Sequence, residues 1–200
     1  MIRGMDYTLA LTTAPTVEPV TNAEMDLWSR LAGDAETADS TLVDSLIEAA
    51  RLHCETFTGR SFINTTYTMY LDSFPDVIYF PRSPLSSVTS IAYLDENGDS
   101  QTLGTSVYTV DADSEPGRVY LAYGQSWPAT YAVPKAITII FVAGYGATAA
   151  SVPENIKAAI KQLAAHLYEN REAVVIGTIT SKLPFSVEAL LSGERVMEMV

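Results

Sequence analysis

Between about Thr41 and Thr58 the chain carries an apolar stripe that a helix can bury along one side. Leu42, Leu46, Ala50, His53 and Phe57 recur at three- and four-residue steps, and Val43, Ile47 and Cys54 widen the stripe. Asp39, Ser40 and Thr41 are candidate caps, and Gly59 suits the position just past the end. Such a helix needs a second apolar surface to be stable. The sequence offers one further on, where Ile156, Ile160, Leu163 and Leu167 form another helical stripe reaching to about Arg171. Ser151 and Glu154 make a capping box before it, with Pro153 in the first turn, where a missing N–H costs little. A shorter helix is predicted from Asn22 to about Leu31. Thr21 and Glu24 form its capping box, and Val20 and Met25 hold the staple positions.

Between the two long stripes the period changes from helical to alternating. Thr65, Tyr67, Met69 and Leu71 alternate with Thr66, Thr68 and Tyr70, which is the pattern of a strand. Further strands are predicted at about 77–80, 88–94, 107–110, 118–123 and 136–142. Asn97-Gly98 lies between two of them and is a strong hairpin-turn signal. Prolines 81, 84, 116, 128 and 134 punctuate the block and limit ladder pairing.

The expected fold class is therefore α+β. A helical core of two long helices plus shorter ones carries a mostly antiparallel β-rich insertion and an extended C-terminal arm. In boundaries, 1–19 is an N-terminal arm and 20–173 a single domain. Within that domain 20–60 and 151–173 are helical and 61–146 is the β-rich insertion; 174–200 is the C-terminal arm. The C-terminal arm contains a β-branched stretch, Val174, Val175 and Ile176, and a short amphipathic segment after Pro184.

Composition restricts the function classes. The chain of 200 residues is 48% hydrophobic and 18% charged, as in an ordinary globular protein, and no apolar run approaches a membrane span. No basic segment followed by an apolar one opens the sequence, so no secretory signal is expected. The net charge of −12, with scattered Lys and Arg, argues against a protein whose work is gripping nucleic-acid phosphates. The acidity serves solubility, or provides a negative surface along which DNA slides without sticking.

No residue group completes a catalytic or metal constellation. His53 and Cys54 are adjacent on a helix, so their side chains point about 100° apart, and a packed His53 is expected. His166 and Glu169 could meet on one helix face, but two groups do not make a metal site. Asp95-Glu96-Asn97-Gly98-Asp99 departs from a calcium loop, because its glycine is early and Ser106 stands where the loop's closing Glu belongs. Gly124-Gln125-Ser126 lacks the second glycine of a nucleophile elbow. Tyrosines 67, 70, 79, 93, 108, 120 and 123 could stack on sugars or bases, or serve as strand residues with one face in the core. No cofactor, no metal and no catalytic residue is expected.

The order of several short stretches carries more than any one of them. Leu46-Ile47-Glu48-Ala49-Ala50-Arg51 leads to Glu55-Thr56-Phe57-Thr58-Gly59-Arg60, then to Leu71-Asp72-Ser73-Phe74-Pro75. Phe80-Pro81-Arg82-Ser83-Pro84-Leu85-Ser86-Ser87-Val88 and Ile91-Ala92-Tyr93-Leu94-Asp95 follow. Trp127-Pro128 precedes Phe141-Val142-Ala143-Gly144-Tyr145-Gly146. The last stretch, Val152-Pro153-Glu154-Asn155-Ile156-Lys157, runs on to His166-Leu167-Tyr168-Glu169-Asn170-Arg171-Glu172. In this order, over about Val20 to Leu191, the chain resembles the head–tail connector (adaptor) family of tailed phages, prophages and phage-derived gene-transfer particles. Its large strand block places it with the family's longer branch.

The resemblance implies a structural subunit of the particle neck rather than an enzyme. It implies a homo-oligomeric ring of roughly twelve copies, since heterologous contacts that close under rotation make rings. It also implies docking beneath a portal protein, contact with a downstream neck or tail protein, and a channel through which DNA passes without specific binding. The protein would be made in the bacterial cytoplasm and reside in the particle, with no membrane. Leu183, Phe185, Val187, Leu190 and Leu191 of the C-terminal arm are the candidate portal-binding residues, as more apolar surface than a free tail should expose. The arm is expected to be loosely held outside the helical core. Two other functions fit the sequence: another neck or tail-completion protein, and a carbohydrate- or peptide-binding module using the tyrosine-rich block. If no metal is needed for folding, chelation and dialysis should leave the melting temperature unchanged, and stoichiometric zinc surviving dialysis would contradict the reading.

Overall fold

A computed structural model describes residues 6–29, 40–170 and 185–196. Those residues fall into two compact units. The described residues within 1–15 and 64–145, with Val196, form a β unit, and those within 16–63 and 146–195 form a helical unit. The change of sequence period near residues 63 and 146 coincides with the division.

The helical unit contains α1 (Asn22–Ser29), α2 (Ser40–Thr58), α3 (Glu154–Glu169) and α4 (Phe185–Ser192). The box that opens α1 forms as its residues predict. The Thr21 N–H donates to Glu24 Oε2 at 2.8 Å, and the Glu24 N–H donates to Thr21 Oγ1 at 3.3 Å. That backbone hydrogen bond, opposed by partial burial and aided by the Thr21 hydroxyl, lowers the Glu24 carboxyl from its ordinary value. The staple residues Val20 and Met25 are buried. Gly59 takes φ +73° just past α2, and its N–H donates to the Glu55 carbonyl at 2.9 Å, closing the helix.

The opening of α3 differs from expectation. Ser151 lies in a 3-10 turn, Ala149–Ser151, and its hydroxyl sits 3.3 Å from that of Thr148. Pro153 holds the cap position with no side-chain cap bond, so the Ser151–Glu154 box does not form. The 3-10 turn occupies the residues the box needs, and Glu154 pairs instead with Lys157 one turn on.

α2 packs on α3, and α4 packs on both. The face of α2 that is buried is not the one centred on Leu46 and His53. Val43, Ile47, Ala50, Cys54 and Thr58 are buried, Leu46 and Phe57 are half-buried, and His53 is exposed. The inward face also takes in Arg51 and Glu55, which are buried together beside these residues. On α3, Ile156, Ile160 and Leu163 are buried as the stripe requires, and Leu167 is half-buried.

The β unit is antiparallel throughout. Its larger sheet is built from β1 (Tyr7–Thr13), β2 (Thr65–Leu71), β4 (Leu85–Leu94), β5 (Ser100–Thr102) and β8 (Ile137–Ala143), in the order β1-β2-β8-β4-β5. A smaller sheet orders β3 (Val77–Tyr79), β7 (Arg118–Leu121) and β6 (Tyr108–Asp111) as β3-β7-β6. β8 is central and alternates fully buried Ile137, Ile139, Phe141 and Ala143 with partly buried residues. Met69 and Phe141 of the larger sheet share one core with Ile78 and Val119 of the smaller. The Asn97-Gly98 hairpin joins β4 to β5, with Gly98 at φ +86° and the Asp95 carboxylate accepting the N–H groups of Asn97 and Asp99.

The first residues depart from expectation. Part of the predicted N-terminal arm, Tyr7–Thr13, is an edge strand paired with β2 in the register Leu9↔Met69. Its lack of clear period follows from its place: no residue of β1 is fully buried, so no alternation is imposed on the sequence.

Two substitutions test this packing. Leu163→Ala should cost about 2–5 kcal/mol in denaturant unfolding, since Leu163 is 5% exposed. Gly117→Ala should destabilise by about 1–3 kcal/mol, because an added methyl group would overlap the Leu85 Cβ, which cannot swing aside.

Candidate functional site

The sequence stretches that carry the family resemblance meet in two places, one in each unit. In the helical unit, Glu55 lies on the last turns of α2, one turn beyond Arg51. Arg51 donates through Nε to Glu18 Oε2 at 2.7 Å and through a terminal nitrogen to Glu55 Oε2 at 3.0 Å. The other Glu55 oxygen accepts the Phe62 N–H at 2.8 Å. Burial, which opposes charge on Arg51, is outweighed by Glu18 and Glu55, so its pKa is held above the ordinary arginine value. Arg51 and Glu55 are both under a tenth exposed, so this is a buried ion pair whose charges are satisfied on several sides. Thr58 stabilises the helix end by donating to the Cys54 carbonyl at 2.8 Å.

Arg60, the last residue of that stretch, reaches the other end of the chain. Its Nε donates to the Glu194 carbonyl oxygen, and Asn155 Nδ2 donates to Glu194 Oε1 at 2.8 Å. Two signature residues, Arg60 and Asn155, thus clamp one acid that sequence reasoning did not single out. Glu194 stands alone after Gly193 with no pattern around it, so nothing in the sequence marks it.

This clamp bears on the candidate portal-binding residues. Val187 and Leu191 are fully buried within the helical unit, Leu190 is half-buried, and Gln162 Nε2 donates to the Ser186 hydroxyl at 2.7 Å. Within the described residues the arm is therefore docked on its own helices, contrary to the expectation of a loosely held segment. Val187 and Leu191, two of the apolar side chains that suggested a partner, are used to hold α4. Leu183, the side chain of Phe185 and the stretch 174–176 lie outside what is described.

In the β unit the signature residues also serve architecture. Pro84 lends its carbonyl to the Gly144 N–H at 2.9 Å, where Gly144 takes φ +146°. Trp127 stacks on Phe74 with ring centroids 4.7 Å apart, and Phe74 meets Tyr93 edge-on. Of the tyrosines, Tyr67 and Tyr108 are core residues, whereas Tyr120 and Tyr123 are exposed, Tyr123 completely.

The chemistry elsewhere is sparse. Burial pushes the Cys54 thiol up to about 12, so it is neither nucleophile nor ligand at neutral pH, and His53 points to solvent. His166 is exposed, and its ring Nδ1 lies 3.3 Å from Asn170 Nδ2 rather than meeting Glu169. Among the described residues no group of three or more His, Cys, Asp and Glu side chains is placed to hold a metal. A groove beside α1 has the acids Glu18 and Asp44 but no basic side chain among its described lining residues. The large apolar side chains exposed in the helical unit include Leu27 and Trp28 of α1, with Lys161 Nζ 5.3 Å from the Trp28 ring centroid.

Removing the Glu55 charge while keeping its shape should be costly. Glu55→Gln leaves Arg51 paired with Glu18 but weakens its charge-assisted hydrogen bond on the Glu55 side, and a loss of about 1–3 kcal/mol in unfolding free energy is expected. A cost below about 0.5 kcal/mol, typical of surface changes, would show that the pair is not a structural keystone.

Residues 128–195 match the family model described as "Phage gp6-like head-tail connector protein". No curated protein matches the chain. A chain in the solved structure "Virion of native gene transfer agent (GTA) particle" shares the fold with a TM-score of 0.79 at 24% identity, covering 96% of this chain and 97% of that one. Chains in "Neck of empty GTA particle computed with C6 symmetry" and "Neck of native GTA particle computed with C12 symmetry" align over the same shares, with TM-scores of 0.77 and 0.73 at 24% and 21% identity. At these identities the likeness establishes the fold. The family resemblance read from the ordered signatures is borne out: the chain matches the phage head–tail connector family over residues 128–195 and has, over nearly its whole length, the fold of a gene-transfer-particle neck protein.

Proposed function

We propose that this chain is a head–tail connector (adaptor) subunit that forms a ring in the neck of a tailed phage or phage-like particle, below the portal. The observation that carries this is the concurrence of two independent likenesses: the connector family model over 128–195, and the neck fold over 96% of the chain. Its work is structural. The residues that define the resemblance bury a polar network and close turns, and the described ones do not assemble into a reactive site. A ring of roughly twelve copies is consistent with the C12 and C6 symmetries under which the solved neck structures were computed. The acidic chain suits a DNA exit channel, because repulsion between carboxylates and phosphates keeps the strand from sticking.

Portal attachment is assigned to the C-terminal arm. Val187 and Leu191 act there by fixing α4 on the helical unit. Leu190, half-buried, together with Leu183 and Phe185, is left as the portal-binding set. Deleting the gene in a particle-producing host should give DNA-packaging heads and free tails that fail to join, with joining restored by the wild-type chain. Tailed, infectious or transfer-competent particles lacking the chain would overturn the proposal.

A further inference from the structure

The first strand of the β unit is connected to it in an unusual way. β1 pairs with β2 along its whole length, yet the chain leaves the β unit immediately afterwards and does not return until residue 64. β1 is thus held in its sheet by noncovalent contacts alone, with its only described covalent continuation, at Thr13, running into the helical unit. The connecting segment has a firm end and a soft part. Glu18 is tied to the buried Arg51 at 2.7 Å, and Pro19 and Val20 are buried. Between Thr13 and Glu18, residues Ala14, Thr16 and Val17 are exposed and Pro15 is half-buried. Pro15 has no N–H, so it cannot donate to a ladder, and the chain bends just after it at Thr16 and Val17.

The slot that β1 fills is demanding, while β1 itself is not specialised to its own copy. In β2 the residues Thr65, Tyr67, Thr68, Met69 and Leu71 are buried and the strand carries no charge, so it needs a partner along that edge. β1 offers seven uncharged residues, of which none is fully buried; Leu9 packs against the core only in part and Leu11 is 59% exposed. The Thr12 and Thr68 hydroxyls lie 2.6 Å apart across the two strands. Such a strand makes the same contacts whichever copy of the chain supplies it, so exchange between copies has little free-energy cost and gains the linkage.

We propose that in the assembled ring β1 is exchanged: the strand of one subunit completes the sheet of its neighbour by pairing with the neighbour's β2. This rests on the ring reading above. The exposed hinge of four residues, Ala14 to Val17, spans at most about 13–14 Å when extended, so exchange is confined to adjacent subunits. The isolated chain keeps β1 in its own sheet; the ring, where neighbours are held side by side, redirects it. Each subunit would then be tied to the next by a main-chain ladder in addition to side-chain contacts, which suits a neck that must withstand the passage of DNA.

Disulfide trapping across the ladder tests this directly. Ala10 and Thr68 are Cα partners, as are Thr8 and Tyr70, so the double variants Ala10→Cys/Thr68→Cys and Thr8→Cys/Tyr70→Cys place thiols across the pairing. Native Cys54 is fully buried and does not compete. Isolated chain oxidised with copper phenanthroline should run as an internally linked monomer on a non-reducing gel. Purified particles carrying either variant should instead give a ladder of linked subunits. Particles that contain the variant and yield only internally linked monomers would overturn the exchange. An equal mixture of the single variants Ala10→Cys and Thr68→Cys, assembled together with wild-type chain, guards against a double variant that folds or assembles poorly. Covalent dimers in those particles require exchange, and their absence there counts against it. If wild-type chain is itself missing from purified particles by mass spectrometry, it is the ring reading that fails, a different result from a monomer-only gel.

Discussion

A carboxylate buried at the end of a helix must find hydrogen-bond donors or unfold its surroundings, and Glu55 finds them in two directions. One oxygen takes a terminal nitrogen of Arg51, the other takes the backbone of Phe62. Arg51 in turn fixes Glu18 ahead of α1. The segment before α1, the last turns of α2 and the turn leading out of the helical unit are thus set by one charge pair. Desolvation makes the cluster costly to form and costlier to break, since removing Arg51 would take the compensating charge from both Glu18 and Glu55. α2 presents Val43, Ile47, Ala50 and Cys54 inward, with Arg51 and Glu55 also inside on their flank.

The same economy of polar contacts explains why the ordered signatures mark a scaffold. Arg60 and Asn155 come from opposite ends of the helical segments in sequence and meet on Glu194, which fixes the end of the α4 segment. Pro84 and Gly144 close the β unit by a backbone hydrogen bond at the end of its two longest central pairings. Arg60 and Asn155 are demanding in identity because another side chain would lack the donor, and Gly144 because of its φ value. They carry family resemblance without being reactive. The connector role proposed above is served by this distribution, with polar specificity buried in the helical unit and surfaces left to partners.

Much of the architecture was legible because it depends on local chemistry. The Thr21–Glu24 box, the Val20–Met25 staple, the glycine closing α2 and the Asn97-Gly98 hairpin each involve residues a few positions apart, so their spacing alone implies the geometry. The alternation in Thr65–Leu71 and the stripe of Ile156, Ile160 and Leu163 report burial of one face, whatever covers it. The order of the signatures pointed to the connector family on the same footing, without requiring knowledge of what those residues touch.

Other features were decided only in three dimensions. His53 reads as part of a stripe, but the true face is turned toward a charge pair whose outer partner, Glu18, lies far away in sequence. Ser151 and Glu154 have the spacing of a box, yet the 3-10 turn before Pro153 takes the serine elsewhere. Tyr7–Thr13 has no period because an edge strand with no fully buried residue is free of the constraint that writes one. Val187 and Leu191 looked like surface awaiting a partner because hydrophobicity in a sequence states only that a residue will be covered. What covers it, a neighbouring helix of the same unit, is a long-range fact settled by Arg60, Asn155 and Gln162 holding the segment in place. Local spacing encodes turns, caps and periods, whereas pairing between distant residues depends on where the fold brings them, and no window of sequence contains both.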